Sequence, residues 1–403
     1  MTSKLACPFC YHPIKRRSDL WFLCRGRPAG NRPACRRQVD PVRLNQTGFT
    51  EATLPAFPPS AELSLLPTSK ANCPYCGGET QSRACPECHT KLPMEFGVSA
   101  SPLISMLGAR GTGKTVFLTV LSDELQQERI RKEFGATVQP IGSGQEGFTS
   151  QAKAVRERIH QVYVEGQLFD TSPQARDGRK EPMVLEWRNE RPTGNRLGLR
   201  RQRTHYLSFF DTAGEDLAHD ADTHSLHYLR ASNYLILLLD PFQLPEVQQM
   251  LNLPEAAILN REPTRDVLTR ITETLKDSAH WNGRQITVPV AVAFTKMDGF
   301  FARHLDDSHP LRRAERRPGG YDEVHGRLIH EQMAALLEDW GGGDINSQLR
   351  AWYRDYQYFF VSALGEQPNY ESATTRERPR PVRVEEPLLW LMSKGGLVAK
   401  VTP

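Results

Sequence analysis

The chain has 403 residues, with 51 Lys and Arg against 47 Asp and Glu and a formal charge of +4 at pH 7. That near balance argues against a nucleic-acid coat or a membrane-surface protein, both of which need a large excess of positive charge. The opening residues hold no apolar stretch of leader type. The longest apolar run, YLILLL at 234–239, falls far short of the roughly 20 residues that span a bilayer, so the sequence predicts a cytoplasmic protein with no membrane segment.

All eight cysteines lie between Cys7 and Cys88, and none follows. A secreted disulfide scaffold would not be continued by a long thiol-free domain, so metal binding is the better account. Cys73-Pro-Tyr-Cys76 and Cys85-Pro-Glu-Cys88 are two C-x2-C turns, each aiming two thiolates at one ion. Together they predict a closed tetrahedral zinc ribbon over 71–95. Cys7, Cys10, Cys24 and Cys35 form the other set, in a cysteine-rich module over 1–48, with His12 as an alternative to one thiol. Residues 49–70 are rich in Pro, Ser and Thr and read as an extended linker. A closed four-thiolate site stabilises a small fold without doing chemistry. The 13 Lys and Arg against 7 Asp and Glu of residues 1–95 then suit either a solvated face, a protein-docking surface or phosphate contacts, and nucleic acid is the less favoured partner.

A domain over 97–403 follows. Residues 102–107 are a short apolar strand leading into Gly108-Ala-Arg110-Gly111-Thr-Gly113-Lys114-Thr115, after which Leu118, Leu121 and Leu125 recur at helical spacing. This is G-x4-G-K-T in its strand-loop-helix setting. The glycines let backbone N–H groups converge on phosphate, the helix N-terminus adds its positive end, Lys114 neutralises the β and γ phosphates, and the Thr115 hydroxyl ligates magnesium. In HYLSFFDTAGED, Asp211 ends a strand where a second magnesium carboxylate belongs, and Gly214 can offer its N–H to the γ-phosphate.

AVAFTKMD, 291–298, then falls where the base would lie. The Asp298 carboxylate can accept from guanine N1–H and the 2-amino group, whereas adenine offers neither donor, and Lys296 can lay its stem over the base. YFFVSALG, 358–365, repeats the strand-then-loop arrangement, and the Ser362 and Ala363 backbone N–H groups are candidates to meet guanine O6. Strands alternating with helices, such as those marked by Val267, Leu268, Ile271 and Leu275 or by Leu328, Ile329, Met333, Leu336 and Leu337, predict a doubly wound, mostly parallel α/β sheet.

With GARGTGKT, DTAG, TKMD and SAL in order, the chain resembles the Ras-like, translation-factor-related P-loop GTPases. Its cysteine-rich front, large segment before DTAGED and closing VEEPLLWLM also resemble the bacterial double-GTPase proteins of biological-conflict, anti-phage systems. The resemblance implies GTP and GDP binding with magnesium, GTP hydrolysis, and a protein partner, with a second GTPase as one candidate. It places Gly108, Gly113 and Lys114 on phosphates, Thr115 and Asp211 on magnesium, and Lys296, Asp298, Ser362 and Ala363 on guanine. Three positions depart from it. Thr295 stands where Asn is commoner, Glu215 where many relatives place the water-positioning Gln, and Arg110 within the phosphate loop, where it either stabilises transition-state charge or points to solvent.

Between Thr115 and Asp211 lie 95 residues, more than a compact domain of this type uses, giving an insertion over about 130–205. Thr171, with Ser172 as the other choice, is the candidate hydroxyl that senses magnesium and γ-phosphate. The expected catalytic residues are thus Lys114, Thr171, Gly214 and Glu215. RNERPTGNRLGLRRQRTH, 188–205, reads as an arginine-rich hairpin, and His219, His224 and His227 as surface histidines rather than a metal site. Three functions remain in play: a slow GTPase switch, a GTP-holding scaffold with little turnover, and a zinc-ribbon ATPase on nucleic acid, against which TKMD argues.

Overall fold

A computed structural model describes residues 5–59, 69–99, 101–109, 111–141, 149–169, 182–190, 193–194, 200–201, 203–211, 228–258, 263–313 and 316–401. Its centre is a seven-stranded sheet built from β1 (Leu103–Leu107), β2 (Ala136–Pro140), β3 (Met183–Asn189), β4 (Thr204–Asp211), β5 (Tyr234–Leu239), β6 (Val290–Phe294) and β7 (Tyr356–Phe360). The order is β2-β3-β4-β1-β5-β6-β7. β4, β1, β5, β6 and β7 run parallel, while β2 and β3 add antiparallel at one edge. The insertion therefore widens the sheet by a β2–β3 ribbon, and a short hairpin, Thr193–Gly194 against Arg200–Arg201, lies in the arginine-rich stretch.

β1 and β6 are buried at every residue and β5 at all but its first, because both faces of the sheet are covered there. Leu235, Leu237 and Leu239 of β5 point to one face, and Ile236 and Leu238 to the other. The first face is covered by α3 (Thr264–Lys276), α4 (Glu323–Asp339) and α5 (Gly343–Trp352), through Val267, Leu268, Ile271, Leu275, Ile329, Met333, Leu337, Ile345 and Leu349. The second is covered by α1 (Lys114–Leu125) and α6 (Glu386–Lys394), with α2 (Thr149–Tyr163) at its edge through Val162. Leu328, expected in the core, is 44% exposed, since it lies one position off the buried stripe of α4. Among the described residues no helix is long and apolar enough to cross a membrane.

The cysteine segment packs against this sheet as one module. Trp21–Leu23 pairs with Ala56–Phe57 on one side and with Arg83–Ala84 on the other, and Arg83–Ala84 pairs with Lys91–Leu92. The first half of the stretch read as linker is thus part of this small sheet, with Phe49 and Phe57 buried; residues 60–68 lie outside the described residues. Phe9, Ile14 and Phe96 meet Ile141, Val184 and Tyr206 of the insertion and β4.

Candidate functional site

The phosphate loop begins where β1 ends. At Gly108 (φ 157°) a Cβ would sit 2.7 Å from the Leu238 carbonyl oxygen and 2.9 Å from Thr112 Oγ1, so the neighbouring strand leaves room for glycine alone. Gly113 takes φ 84° as the residue before α1, a left-handed conformation that a side chain disfavours. Lys114 is buried, and its Nζ donates to the carbonyls of Gly108 at 2.9 Å and Ala109 at 2.8 Å. A cation folded inside a glycine loop at a helix N-terminus fits a group that neutralises phosphate. Thr115 opens α1 beside it.

The TKMD and SAL loops lie on the same edge of the sheet, because Leu239, Phe294 and Phe360 stand in one register across β5, β6 and β7. Thr295 Oγ1 donates to the Thr112 carbonyl at 2.9 Å and so ties the TKMD loop directly to the phosphate loop. A hydroxyl performs this tie, and the position does not require Asn. Lys296 adopts φ 55° and its Nζ lies 2.6 Å from Asp240 Oδ2. Asp298 is buried and accepts from Ser362 Oγ at 2.6 Å, while Ser362 Oγ accepts from the Gly365 N–H at 2.8 Å. Burial pushes the Asp298 carboxyl up to about 6, opposed by the Ser362 hydrogen bond and the Lys296 charge and reinforced by Asp240.

One expected role needs correcting. The Ser362 N–H donates to the Val382 carbonyl at 3.1 Å in a β-bridge, so it is not available to a base oxygen. Ser362 instead holds Asp298 through its hydroxyl, and of the two expected backbone donors the Ala363 N–H is the remaining candidate. Around them Gln367 Nε2 donates to the Gly299 carbonyl at 3.2 Å, and Tyr370 packs edge-on against Phe242, ring centroids 6.4 Å apart. The segment after the SAL turn is tied to the insertion: Leu168 N–H donates to Ala373 O at 2.7 Å and Thr375 N–H to Gly166 O at 2.8 Å.

Asp211 ends β4 opposite Met106 of β1, at the level where the phosphate loop is about to begin. Arg110, Thr171, Ser172, Gly214, Glu215, His219, His224 and His227 lie outside the described residues. Sequence reasoning missed Asp240; its signal was an acid followed by Pro at the C-terminal end of the most apolar strand, the edge at which ligands bind in a parallel sheet.

The cysteines form two clusters, with a different membership from the one expected. Cys7, Cys10, Cys85 and Cys88 make one and Cys24, Cys35, Cys73 and Cys76 the other, each with all four sulfurs within 4.8 Å. The predicted 71–95 ribbon is therefore split: its two C-x2-C turns serve different clusters, because Trp21–Leu23 pairs with Arg83–Ala84 and draws the two cysteine segments past one another. His12 joins neither and faces Glu87 at 3.7 Å. Sulfur–sulfur separations of 3.8 Å (Cys7–Cys88), 3.7 Å (Cys10–Cys85), 3.6 Å (Cys24–Cys76) and 3.9 Å (Cys35–Cys73) match the edge of about 3.8 Å of a tetrahedron with zinc–sulfur bonds of about 2.3 Å. Backbone N–H groups of Phe9, Gly26 and Glu87 donate to Cys7, Cys24 and Cys85 sulfurs, the support a ligating thiolate receives. Both clusters fit zinc.

The first cluster reaches the C-terminal end of β4 through Tyr11. Its ring lies 5.6 Å from Phe210, the residue before Asp211, and 4.7 Å from Tyr228. Tyr228 in turn donates to the Ile104 carbonyl of β1.

Fold and site together define a mixed α/β protein: a seven-stranded, mostly parallel sheet with a phosphate-type loop on one edge, joined to a module holding two four-cysteine clusters. No protein-family model matches the chain. It is 26% identical over 336 residues, 78% of this chain and 80% of the other, to the proposed ESX-1 scaffolding and assembly protein SaeC of Mycolicibacterium smegmatis. Among solved structures it aligns with the signal recognition particle receptor SRb-GTP/SRX complex of Chaetomium thermophilum, at 14% identity and TM-score 0.28 over 67% of this chain and 94% of the other. It also aligns with a bacterial selenocysteine-specific elongation factor, EF-Sec, at 13% identity and TM-score 0.22 over 66% of this chain and 26% of the other. Superpositions this loose leave the functional reading to the geometry of the site.

Proposed function

We propose that the protein is a guanine-nucleotide switch that binds GTP with magnesium and hydrolyses it slowly, and whose zinc module engages a protein partner. The observation that carries this reading is the Thr295–Thr112 hydrogen bond, which fixes a buried carboxylate, Asp298, at a set distance from a phosphate-type loop. An adenine-specific site has no use for that carboxylate, since a charged acceptor facing an acceptor nitrogen is penalised.

In this reading Lys114 and the loop N–H groups bind the phosphates. Asp298 accepts from the two guanine donors, and the Ala363 N–H meets O6. Thr115 and Asp211 would hold magnesium, which would supply charge neutralisation to the phosphates. Water attacks the γ-phosphorus, the bond to the bridging oxygen breaks, and GDP and phosphate leave. Positioning and charge do the catalysis, with Thr171, Gly214 and Glu215 as the proposed γ-phosphate and water contacts. The likeness to SaeC, described as a scaffolding and assembly protein, favours an assembly process over a conflict system as the setting, and it supports a second reading in which GTP loading matters more than turnover.

Affinity for GTP and ATP, measured side by side with magnesium, tests the reading. Wild type should prefer GTP by orders of magnitude, and Asp298→Asn should lose that preference. Equal binding of ATP by the wild type would remove the guanine pocket and favour an ATPase.

A further inference from the structure

Lys296 stands two residues before Asp298, yet its ammonium is paired elsewhere, with Asp240 Oδ2 at 2.6 Å. Asp240 is almost fully buried at the end of β5, and its other oxygen, Oδ1, accepts from the Phe242 N–H at 3.0 Å, which fixes the carboxylate in place. The left-handed backbone at Lys296 turns this side chain toward β5. Among the described residues the hydrogen-bond partners of the Asp298 carboxylate are neutral: the Ser362 hydroxyl and its own backbone N–H.

A lysine this near a buried carboxylate would ordinarily pair with it and use up its acceptor capacity. Resting on the guanine-pocket reading, we infer that Asp240 is a positioning residue for base recognition: it anchors the Lys296 ammonium away from Asp298, so that the Asp298 carboxylate stays open to the two guanine donors while the Lys296 stem remains available to cover the base. The groups facing Asp298 are Lys296, Asp240, Ser362 and the phenol of Tyr370, whose own titration feels both acids. Asp240 is thus the one group that can hold the lysine off without itself donating to Asp298.

The test compares GTP with ITP, which keeps N1–H but lacks the 2-amino group, so the GTP:ITP affinity ratio reads Asp298 directly. In wild type the ratio should be roughly tenfold or more, the usual worth of a hydrogen bond to a charged group. Asp240→Asn preserves the acceptor for Phe242 but frees Lys296. The ratio should collapse toward unity, and the acid-side loss of GTP binding should move to lower pH, because a lysine-paired carboxylate titrates lower. Asp240→Glu should regain most of the ratio, and Asp240→Asn with Lys296→Met, which removes both charges, should restore it. Should the single Asn variant fail to fold, the double variant and Asp240→Glu still carry the comparison. A ratio and acid limb unchanged in Asp240→Asn, or a ratio that stays collapsed in the double variant, would overturn the inference and reduce Asp240 to a structural acid. A wild type with no preference for GTP over ATP would instead sink the guanine reading, and this inference with it.

Discussion

Asp298 is under two opposed demands. Burial favours its neutral form and pushes its pKa up to about 6, against an ordinary value near 3.9, whereas the proposed contact with guanine needs it ionised. In the nucleotide-free protein its contribution to stability is therefore fully present below about pH 4 and is lost as pH rises through about 6, a swing of about 3 kcal/mol. Nucleotide binding runs the other way. GTP affinity should hold above pH 7 and fall about tenfold per unit below pH 6, a profile measurable with a fluorescent guanine nucleotide; affinity flat to pH 5 would contradict it. Ser362→Ala removes the hydroxyl that stabilises the ionised form, so its acid limb should shift to higher pH and its GTP affinity at neutral pH should drop severalfold.

At the scale of elements, strand and helix patterning was legible where one physical constraint dominated. YLILLL could only be a strand buried on both faces, and G-x4-G-K-T announces its strand, loop and helix together. The β2–β3 ribbon was less visible, because whether an extra strand joins an edge is decided by tertiary pairing. Pairing of the cysteine turns was invisible: spacing tells which two thiols share a turn but not which turns meet. The ion cluster that anchors α6 was also unreadable, since its partners are distant in the chain. Arg316 Nη2 lies 3.0 Å from both Glu133 and Glu385, and Arg129 reaches Glu385 at 2.7 Å. Arg316→Ala would leave buried carboxylates short of charge. With Arg129 still in place the loss should sit at the low end for a broken buried pair, about 3 kcal/mol, seen as a drop of several degrees in Tm. An unchanged Tm would mean that water or Arg129 suffices.

For the whole molecule, the consequential feature is that the two metal clusters are crossed and differ in what they touch. Cys7, Cys85 and Cys88 pack in one apolar group with Ile141, Val184 and Tyr206, so the first cluster is continuous with the wall of the large sheet. Among the described residues Cys24, Cys73 and Cys76 pack with Phe22 and Phe57 and the flanking Cys35, Leu54 and Ala71, within the module. Without metal the thiols of each set oppose one another's ionisation: burial pushes Cys7 well above its usual range and Cys24 up to about 11, while hydrogen bonds from neighbouring groups overcome burial to draw Cys88 well down and Cys76 to about 7. Metal binding and folding are then one event. Wild type should carry two zinc ions per chain, and Cys85→Ser and Cys73→Ser should each carry about one. Their effects should nonetheless be unequal. Cys85→Ser removes a thiol that holds the Cys7–Cys10 turn in the first cluster, the turn from which Tyr11 reaches Phe210 and Tyr228, so it should lower Tm steeply and weaken GTP binding, because Phe210 adjoins Asp211, the proposed magnesium ligand. Cys73→Ser should melt the outer part of the module alone and leave GTP affinity within about twofold, since its cluster shares no apolar contact with the sheet. Metal content, thermal melting and nucleotide titration on the two variants decide the matter. Equal losses in both would make the module a single mechanical unit, with the crossing of the chain, rather than the apolar seam, carrying the coupling.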